Sequence, residues 1–316
     1  MKKTVTYLLT LGALLLCSAC SWVKDDLSDC PTGNWLHLSY AYNLLNVDAA
    51  STQVSNVSLF IYQEDGTLVR RENVDSVELH RRDCKIEIPK LPEGKYDFLI
   101  WGGMEDSLYR YTDETLELLT DGEGVNEAKL PSLFHGRLDG VHITDSYNVY
   151  EFPLMKNTNV LSCLVQSQAD TASFKSELFR LEVKASNARM NHWNMPVDSV
   201  EVMYLPFYKD SASIENFNVL QYGVNTLRLM EEDDTRLKLV YVPTGKAVLD
   251  IPLTEYLLLS RHVDFASMPS QEYLDRQDRY DIIFFLSEKE DPELPFVCLS
   301  MKVNGWIVRF DDAELE

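Results

Sequence analysis

The residues with the clearest chemistry lie near the N-terminus. A short basic start is followed by a leucine-rich apolar run over residues 4–16. A run of about 13 apolar residues is too short for a membrane-spanning helix, which needs about 20, and is typical of a secretory signal. Because the small residues Ser18 and Ala19 directly precede Cys20, the pattern predicts a lipoprotein signal peptide at residues 1–19, with the Cys20 thiol diacylated. The alternative is a plain secretory signal that is cleaved elsewhere.

The net charge of the chain limits the classes of partner that it binds. There are 29 Lys+Arg against 50 Asp+Glu, which gives a net charge of −21. Nucleic-acid binding needs clustered basic residues, so we expect no nucleic-acid partner.

The acyl chains on Cys20, such as palmitate, would hold the protein to a membrane. Stable anchoring takes more than one chain, and diacylation supplies two. Since Ser21 and not aspartate follows Cys20, we expect a lipid-anchored position in the cell outer membrane, facing the surface.

Four further cysteines invite disulfide chemistry. In an exported chain, four cysteines allow three pairings. Cys30 and Cys84 fall in the first half, and Cys163 and Cys298 in the second, so one bridge per half is the economical expectation. Cys163 and Cys298 stand in apolar runs, and burial as free core thiols is an equal alternative for them.

Motifs for catalysis, metal binding or cofactor binding are missing from the sequence. It has no Gly-rich phosphate loop, no serine between glycines at elbow spacing and no HExxH pair. The six histidines are scattered, and the acidic run at residues 231–234 lacks the ligand spacing of an EF-hand and suggests a hairpin tip. We therefore expect that the protein is not an enzyme, has no catalytic residues and binds neither a cofactor nor a metal. Two alternatives remain: a pair of carboxylates that cleaves glycosidic bonds, and an aromatic surface that binds sugars.

The elements that would position any site are short strands. Residues 36–42 alternate apolar and polar, whereas residues 57–63 are apolar on both faces, which is typical of a central strand. Asp65-Gly66 and Asn304-Gly305 are hairpin signals between apolar runs. Ser270 is a candidate cap for a helix over residues 271–278. The pattern predicts an all-β protein of antiparallel β-sandwiches.

The domain organisation is expected to be two tandem sandwiches behind the signal. The turn-rich segment at residues 121–124 favours a boundary there or slightly later. We expect a signal peptide at residues 1–19, an N-terminal domain at residues 20–130 and a C-terminal domain at residues 131–316.

Several segments, in their order and spacing, carry a resemblance to a known family. They are Asp26-Leu27-Ser28-Asp29-Cys30-Pro31, Val57-Ser58-Leu59-Phe60-Ile61-Tyr62-Gln63-Glu64-Asp65-Gly66-Thr67-Leu68-Val69, Leu91-Pro92-Glu93-Gly94-Lys95-Tyr96-Asp97-Phe98-Leu99-Ile100-Trp101-Gly102-Gly103, Leu133-Phe134-His135-Gly136, Leu154-Met155-Lys156-Asn157-Thr158-Asn159, Gln271-Glu272-Tyr273-Leu274 and Val303-Asn304-Gly305-Trp306. The set resembles the fimbrillin-A-associated anchor lipoproteins of type V fimbriae, from Cys20 nearly to the C-terminus.

That resemblance implies a fold and a function. Members of the family have two transthyretin-like β-sandwich domains, lie in the outer membrane at the base of a fimbria, hold it to the cell and limit its length. The implied partner is the shaft pilin, contacted by strand exchange along an open sheet edge. Pilins of this type are thought to lose their first strand to an arginine-directed protease. No arginine occurs between Cys20 and Val69, and a first strand that stays in place suits a subunit that ends the polymer.

The C-terminal segment is the candidate pilin contact. Trp306, Val308 and Phe310 alternate as they would on a donated strand. The simpler alternative is that this strand completes its own hairpin through Asn304-Gly305. Competing functions are a fimbrial tip adhesin or glycan-binding surface lipoprotein, which would need an exposed aromatic shelf, and a surface hydrolase.

Overall fold

The computed structural model describes residues 33–112, 115–167, 174–197, 200–214 and 217–310. In chain order the strands are β1 (Asn34–Ser39), β2 (Val57–Gln63), β3 (Leu68–Val74), β4 (Lys85–Glu87), β5 (Gly94–Gly102), β6 (Tyr109–Thr112), β7 (Thr115–Leu118), β8 (Val125–Asn126), β9 (Phe134–Ile143), β10 (Asn148–Pro153), β11 (Met155–Lys156), β12 (Thr158–Ser167), β13 (Phe179–Ala185), β14 (Arg189–Asn191), β15 (Val202–Tyr204), β16 (Tyr208–Ile214), β17 (Phe217–Leu227), β18 (Arg236–Tyr241), β19 (Lys246–Pro252), β20 (Arg279–Glu288), β21 (Phe296–Val303) and β22 (Trp306–Arg309).

Short helices interrupt these strands. They are α1 (Ala50–Gln53), α2 (Ser76–Arg81), α3 (Leu253–Leu259) and α4 (Ser270–Arg276), with 3₁₀ turns at Ser176–Leu178 and Val263–Phe265. Within these ranges of the chain, no helix is both long and apolar enough to cross a membrane. Helix α4 begins one residue before the predicted helix, and Pro269 stands at its N-cap, so the prediction that Ser270 caps it is wrong.

The N-terminal sandwich packs a three-stranded sheet, β10-β1-β4, against a five-stranded sheet, β11-β9-β5-β2-β3. Leu36 and Leu38 of β1 face the five-stranded sheet, while the residues that alternate with them are half-buried, which confirms the predicted alternation. β1 has a partner on both edges, because β10 pairs with it in parallel and β4 antiparallel.

The five-stranded sheet lies between two hydrophobic cores. Leu59 and Ile61 of β2 face the N-terminal core, whereas Phe60 and Tyr62 on the opposite side join the larger core of the C-terminal sandwich. β5 divides its side chains in the same way. Burial on both faces explains why apolar residues stand on both faces of residues 57–63, and it confirms the predicted central strand.

The C-terminal sandwich encloses the larger core. A six-stranded sheet, β16-β17-β12-β20-β21-β22, packs over a five-stranded sheet, β19-β18-β13-β15-β8, and β14-β7-β6 form a small third sheet. Most neighbours are antiparallel, as predicted, but β12 and β20, β15 and β8, and β1 and β10 pair in parallel. The sequence did not indicate these parallel pairs, because each joins strands far apart in the chain.

Strand pairing favours a different domain boundary from the predicted one after residue 130. β9 and β10 follow that position, yet they pair with β5 and β1 of the N-terminal sandwich. β7 and β8 precede it, yet they pair with β14 and β15. The pairing thus favours a division near residue 157 and shows that residues 109–126 cross over to the C-terminal side.

Both hairpin predictions are confirmed. Gly66 has φ +83° in the turn between β2 and β3, and Asn304 and Gly305 have φ +46° and +95° between β21 and β22. Positive φ at both central residues is the geometry of a type I′ turn. The acidic run at residues 231–234 is a turn, but it connects β17 to β18, which belong to different sheets, so the predicted hairpin tip is wrong.

Cys163 and Cys298 are free, fully buried thiols. They lie two strands and four residues apart on one sheet, since Cys163 pairs with Ile282 and Cys298 with Leu286. That geometry separates their Cα atoms by roughly 16 Å, whereas a disulfide needs less than about 7 Å. The core alternative is therefore correct and a bridge between these two cysteines is not formed.

Candidate functional site

The edge strand β22 holds the predicted pilin contact. It pairs with β21 through Val303↔Trp306 and Met301↔Val308, so it completes its own hairpin. Its side chains diverge in exposure. Trp306 is 58% and Ile307 59% exposed, whereas Phe310 is buried in the core, with its ring centroid 5.9 Å from that of Tyr256. Trp306 is thus accessible, Val308 is half-buried and Phe310 belongs to the core.

The outer edge of β22 offers main-chain groups. Residues that flank a two-residue turn form a hydrogen-bonded pair, and the pairs alternate along an antiparallel ladder. Trp306 and Val308 therefore bond to β21, while Ile307 and Arg309 direct their N–H and C=O groups outward. In the part of the chain that the structure describes, no strand pairs with this edge.

Two of the predicted site residues, Cys20 and Cys30, lie outside the described residues. Cys84, the other half of the predicted N-terminal disulfide, is buried in the N-terminal core and bonds to no other cysteine of the described residues. Burial raises the pKa of the Cys84 thiol, which keeps it protonated.

A second candidate region lies where the two sandwiches meet. β9 brings His135 against Trp101 of β5, with ring centroids 4.8 Å apart. The Nε2 atom of His135 lies 3.0 Å from the carbonyl oxygen of His192, in the turn that follows β14. Burial lowers the pKa of His135 to about 4, so the ring is neutral at pH 7 and its N–H is available to that carbonyl.

Buried polar pairs extend this junction towards α4. The amides of Asn157 and Asn194 bond to each other, with Asn194 Nδ2 donating to Asn157 Oδ1 at 2.8 Å. Arg228 and Asp275 form a bidentate ion pair, and Gln271 donates to the same carboxylate at 2.9 Å. Bidentate guanidinium–carboxylate pairs fix both position and orientation. These pairs therefore fix how the side chains of the junction are oriented.

Helix α4 also holds the loop that follows β1. The Arg276 guanidinium lies 4.1 Å from the centroid of the Tyr42 ring and donates to Asn46 Oδ1 at 3.0 Å. Glu272, one turn earlier, accepts from Arg276 at 2.8 Å. The arginine thus links the C-terminal sandwich to a loop of the N-terminal one.

A cleft of about 540 Å³ opens at this junction. We call it the junction cleft, and its lining includes Tyr42, Arg137, Asp139, Trp193, Met195 and Arg228. Trp193 is 55% exposed, and the Arg137 guanidinium lies 4.3 Å from the centroid of its ring. Sequence reasoning missed Trp193. Its only local signal was the turn composition of residues 191–196.

Glycines in the segments that carried the family resemblance permit close backbone approach here. A Cβ on Gly136 would lie 2.7 Å from the carbonyl oxygen of Pro153 and 2.5 Å from the Phe152 ring. A Cβ on Gly103 would lie 2.0 Å from the carbonyl oxygen of Ser132, and Gly103 has φ +74°. Two glycines of those segments are therefore required by packing at the junction.

The described residues form an all-β protein of two packed β-sandwiches, in which the outer edge of β22 pairs with no other described strand. The model of a family described as fimbrillin-A associated anchor proteins Mfa1 and Mfa2 matches residues 27–312. The chain belongs to this family, and the resemblance inferred from the sequence is confirmed. The family makes it a fimbria-associated protein of the cell surface.

Solved structures agree with this assignment. The chain is 28% identical to a candidate adhesin from Bacteroides thetaiotaomicron, covering 90% of this chain and 100% of that one with a TM-score of 0.74. It is 26% identical to a candidate polysaccharide-binding protein from the same organism, covering 89% and 98% with a TM-score of 0.74. The fimbrial anchor protein Mfa2 from Porphyromonas gingivalis, 17% identical, shares the fold over 89% of this chain and 100% of that one, with a TM-score of 0.69. A comparison with curated proteins finds no match. The predicted two-sandwich, all-β fold is confirmed.

Proposed function

We propose that this protein is a lipoprotein of the cell outer membrane that anchors a fimbria to the cell surface and limits its length. The observation that carries the proposal is the match to the anchor-protein family over residues 27–312, which begins soon after the candidate lipidation site Cys20. The lipid holds the body to the membrane, and the body holds the shaft pilin through strand contact.

Lipidation has a direct test. Cells that express the protein are fed radiolabelled palmitate, and the protein is then isolated. The wild-type chain takes up label and fractionates with the outer membrane, whereas Cys20→Ala takes up none. Cys17→Ala is the matched control and keeps the label. Equal labelling of Cys20→Ala and wild type would contradict lipidation at Cys20.

The pilin contact is proposed at the outward edge of β22. Proline at residue 307 removes an outward-facing N–H without removing a bond to β21, because proline lacks that donor. Ile307→Pro should release fimbriae into the medium. Ile307→Val keeps the N–H and should retain the fimbriae.

Deletion of residues 311–316 tests whether the C-terminal strand is donated to the pilin. If it is donated, the deletion shortens the strand and the cells lose the pilin.

Length control and the alternative role are separated by deletion of the gene. Loss of an anchor produces shed and over-long fimbriae. Loss of a tip adhesin leaves fimbriae of normal length and removes adhesion. The alternative draws support from the relatives described as a candidate adhesin and a candidate polysaccharide-binding protein.

The disulfide between Cys30 and Cys84 is part of the proposal for the exported form. Mass spectrometry of protein isolated from cells, alkylated without reduction, would show the linked peptides. Alkylated Cys84 in that sample would contradict the bridge.

A further inference from the structure

The junction cleft is lined by one exposed tryptophan side chain. Trp193 is 55% exposed, although most large aromatic side chains of the C-terminal sandwich are buried. We propose that the junction cleft binds a neutral glycan, with one pyranose ring stacked on Trp193. The C–H groups of a pyranose face are apolar and carry partial positive charge, which suits the negative face of an aromatic ring.

Hydrogen bonds order the turn that carries the indole. Asn191 Oδ1 accepts from the backbone N–H groups of Trp193 and Met195, at 2.9 and 3.0 Å, and fixes the turn. The Arg137 guanidinium covers one face of the indole, 4.3 Å from the ring centroid, and is itself paired with Asp139, at 2.7 Å, and with Asp97, at 3.3 Å, so the sugar ring would stack on the opposite face. A turn whose backbone is already ordered loses little conformational entropy on binding, so more of the stacking energy is retained as affinity.

The charges of the cleft select an uncharged ligand. Arg137 and Arg228 are each matched by a carboxylate in the lining, Asp139 and Asp275. His135 is neutral at pH 7 because burial lowers its pKa to about 4. The charges of the titratable residues that line the cleft therefore sum to zero, whereas the whole chain has a net charge of −21. An anionic glycan or a phosphate would gain no net attraction.

The polar groups of the cleft suit hydroxyls better than a peptide backbone. Asp139 is exposed and accepts hydrogen bonds, while the neighbouring Arg137 donates them, so a vicinal diol finds both roles side by side. A peptide would need a run of main-chain groups to pair with. The strand at the cleft floor, β11, is two residues long and already pairs with β9. The volume of about 540 Å³ lies within the range of about 300–1,000 Å³ usual for small-ligand sites.

Binding is tested with the full lipoprotein in a zwitterionic detergent, since detergents with sugar headgroups would compete. The probes are cellotetraose, mannotetraose and maltotetraose, with tetragalacturonate as the anionic comparison, and the readouts are calorimetry and tryptophan emission. At least one neutral tetrasaccharide should bind, and Trp193→Ala should weaken it about tenfold or more, which corresponds to about 1.4 kcal/mol. Tyr208→Ala is the control, because Tyr208 is an exposed aromatic residue of β16 that does not line the cleft, and it should bind as wild type.

Three outcomes would overturn the glycan site. They are failure of every neutral tetrasaccharide to bind, equal binding by Trp193→Ala and wild type, and tighter binding of tetragalacturonate or of a polyproline peptide in the same cleft. Circular dichroism verifies the fold of each variant. Retention of fimbriae by Trp193→Ala cells is scored separately, so failure of the glycan site and failure of the anchoring function are distinguishable.

Discussion

Arg228 and Asp275 face each other through two parallel hydrogen bonds of 2.7 and 2.8 Å, with side chains only 10% and 6% exposed. Removing one partner from a buried pair leaves an uncompensated charge and costs about 3–5 kcal/mol. We therefore expect Asp275→Asn to lower the free energy of unfolding by an amount of that order, measured by urea denaturation.

A double variant separates the charge from the packing. Arg228→Met together with Asp275→Leu removes both charges and should recover much of the loss, because apolar replacement of a whole buried pair is often close to neutral. Glu64→Gln is the surface control, since Glu64 pairs with Lys95 where both side chains are exposed. A double variant as unstable as Asp275→Asn would contradict the charge argument.

His135 makes stability depend on pH. Its pKa is about 4 in the folded protein, against about 6.5 in the unfolded chain, chiefly because burial disfavours the imidazolium. The neutral ring contributes fully above about pH 6.5, and that contribution is lost as the pH falls towards 4, since the unfolded chain binds the proton first. The full difference is on the order of 3 kcal/mol.

The measurement is the free energy of unfolding at several pH values between about 7 and 4. His135→Gln should lose less stability over this window than wild type. His262→Gln, at an exposed position, should follow the wild-type slope. Identical slopes for His135→Gln and wild type would show that His135 is not the titrating group.

The hairpin at Gly305 depends on backbone conformation. Because Gly305 has φ +95°, alanine there is strained, and Gly305→Ala should destabilise β22 by about 1 kcal/mol or more. Hydrogen exchange of the β22 amides measures the loss. Asn304→Gly is the control, because glycine accepts the positive φ of that position. Unchanged exchange in Gly305→Ala would mean that the turn adopts another type.

Arg276 orders the loop that follows β1. Arg276→Ala removes the contact with the Tyr42 ring and the hydrogen bonds to Asn43 O and Asn46 Oδ1. Amides of residues 43–47 should then exchange faster, while those of β1 should not change. Arg276→Lys keeps the charge but not the planar stack and should fall between the two. Protection equal to wild type in Arg276→Ala would contradict the role of this arginine.

Local signals predicted local structure well. Residues 57–63 carry apolar side chains on both faces because both faces of β2 are buried. Asn304-Gly305 indicated its turn because few other dipeptides accept two positive φ values. The segment at residues 121–124 is also a turn, with φ +78° at Gly124. It connects β7 to β8, both on the C-terminal side, so a correct turn suggested a boundary that strand pairing does not favour.

The junction was beyond the reach of sequence reasoning. Arg228 and Asp275 are 47 residues apart, and His135 meets the carbonyl of His192 across 57 residues. No period or spacing connects such partners. The family segments at residues 133–136 and 271–274 did mark the region, but not its partners. For Trp193, the turn composition of residues 191–196 was the one local signal, and it did not reveal the cleft that the side chain lines.

Strand β1 has one further consequence, which concerns mechanics. Both of its edges are bonded, to β10 and to β4, and the chain that precedes Gly33 continues from its end. Tension arriving through that preceding segment pulls along the strand axis, so the bonds on both sides carry the load together instead of breaking one by one. Strand β1 is therefore loaded in shear. Single-molecule pulling from the N-terminus should require a high force to rupture its pairing.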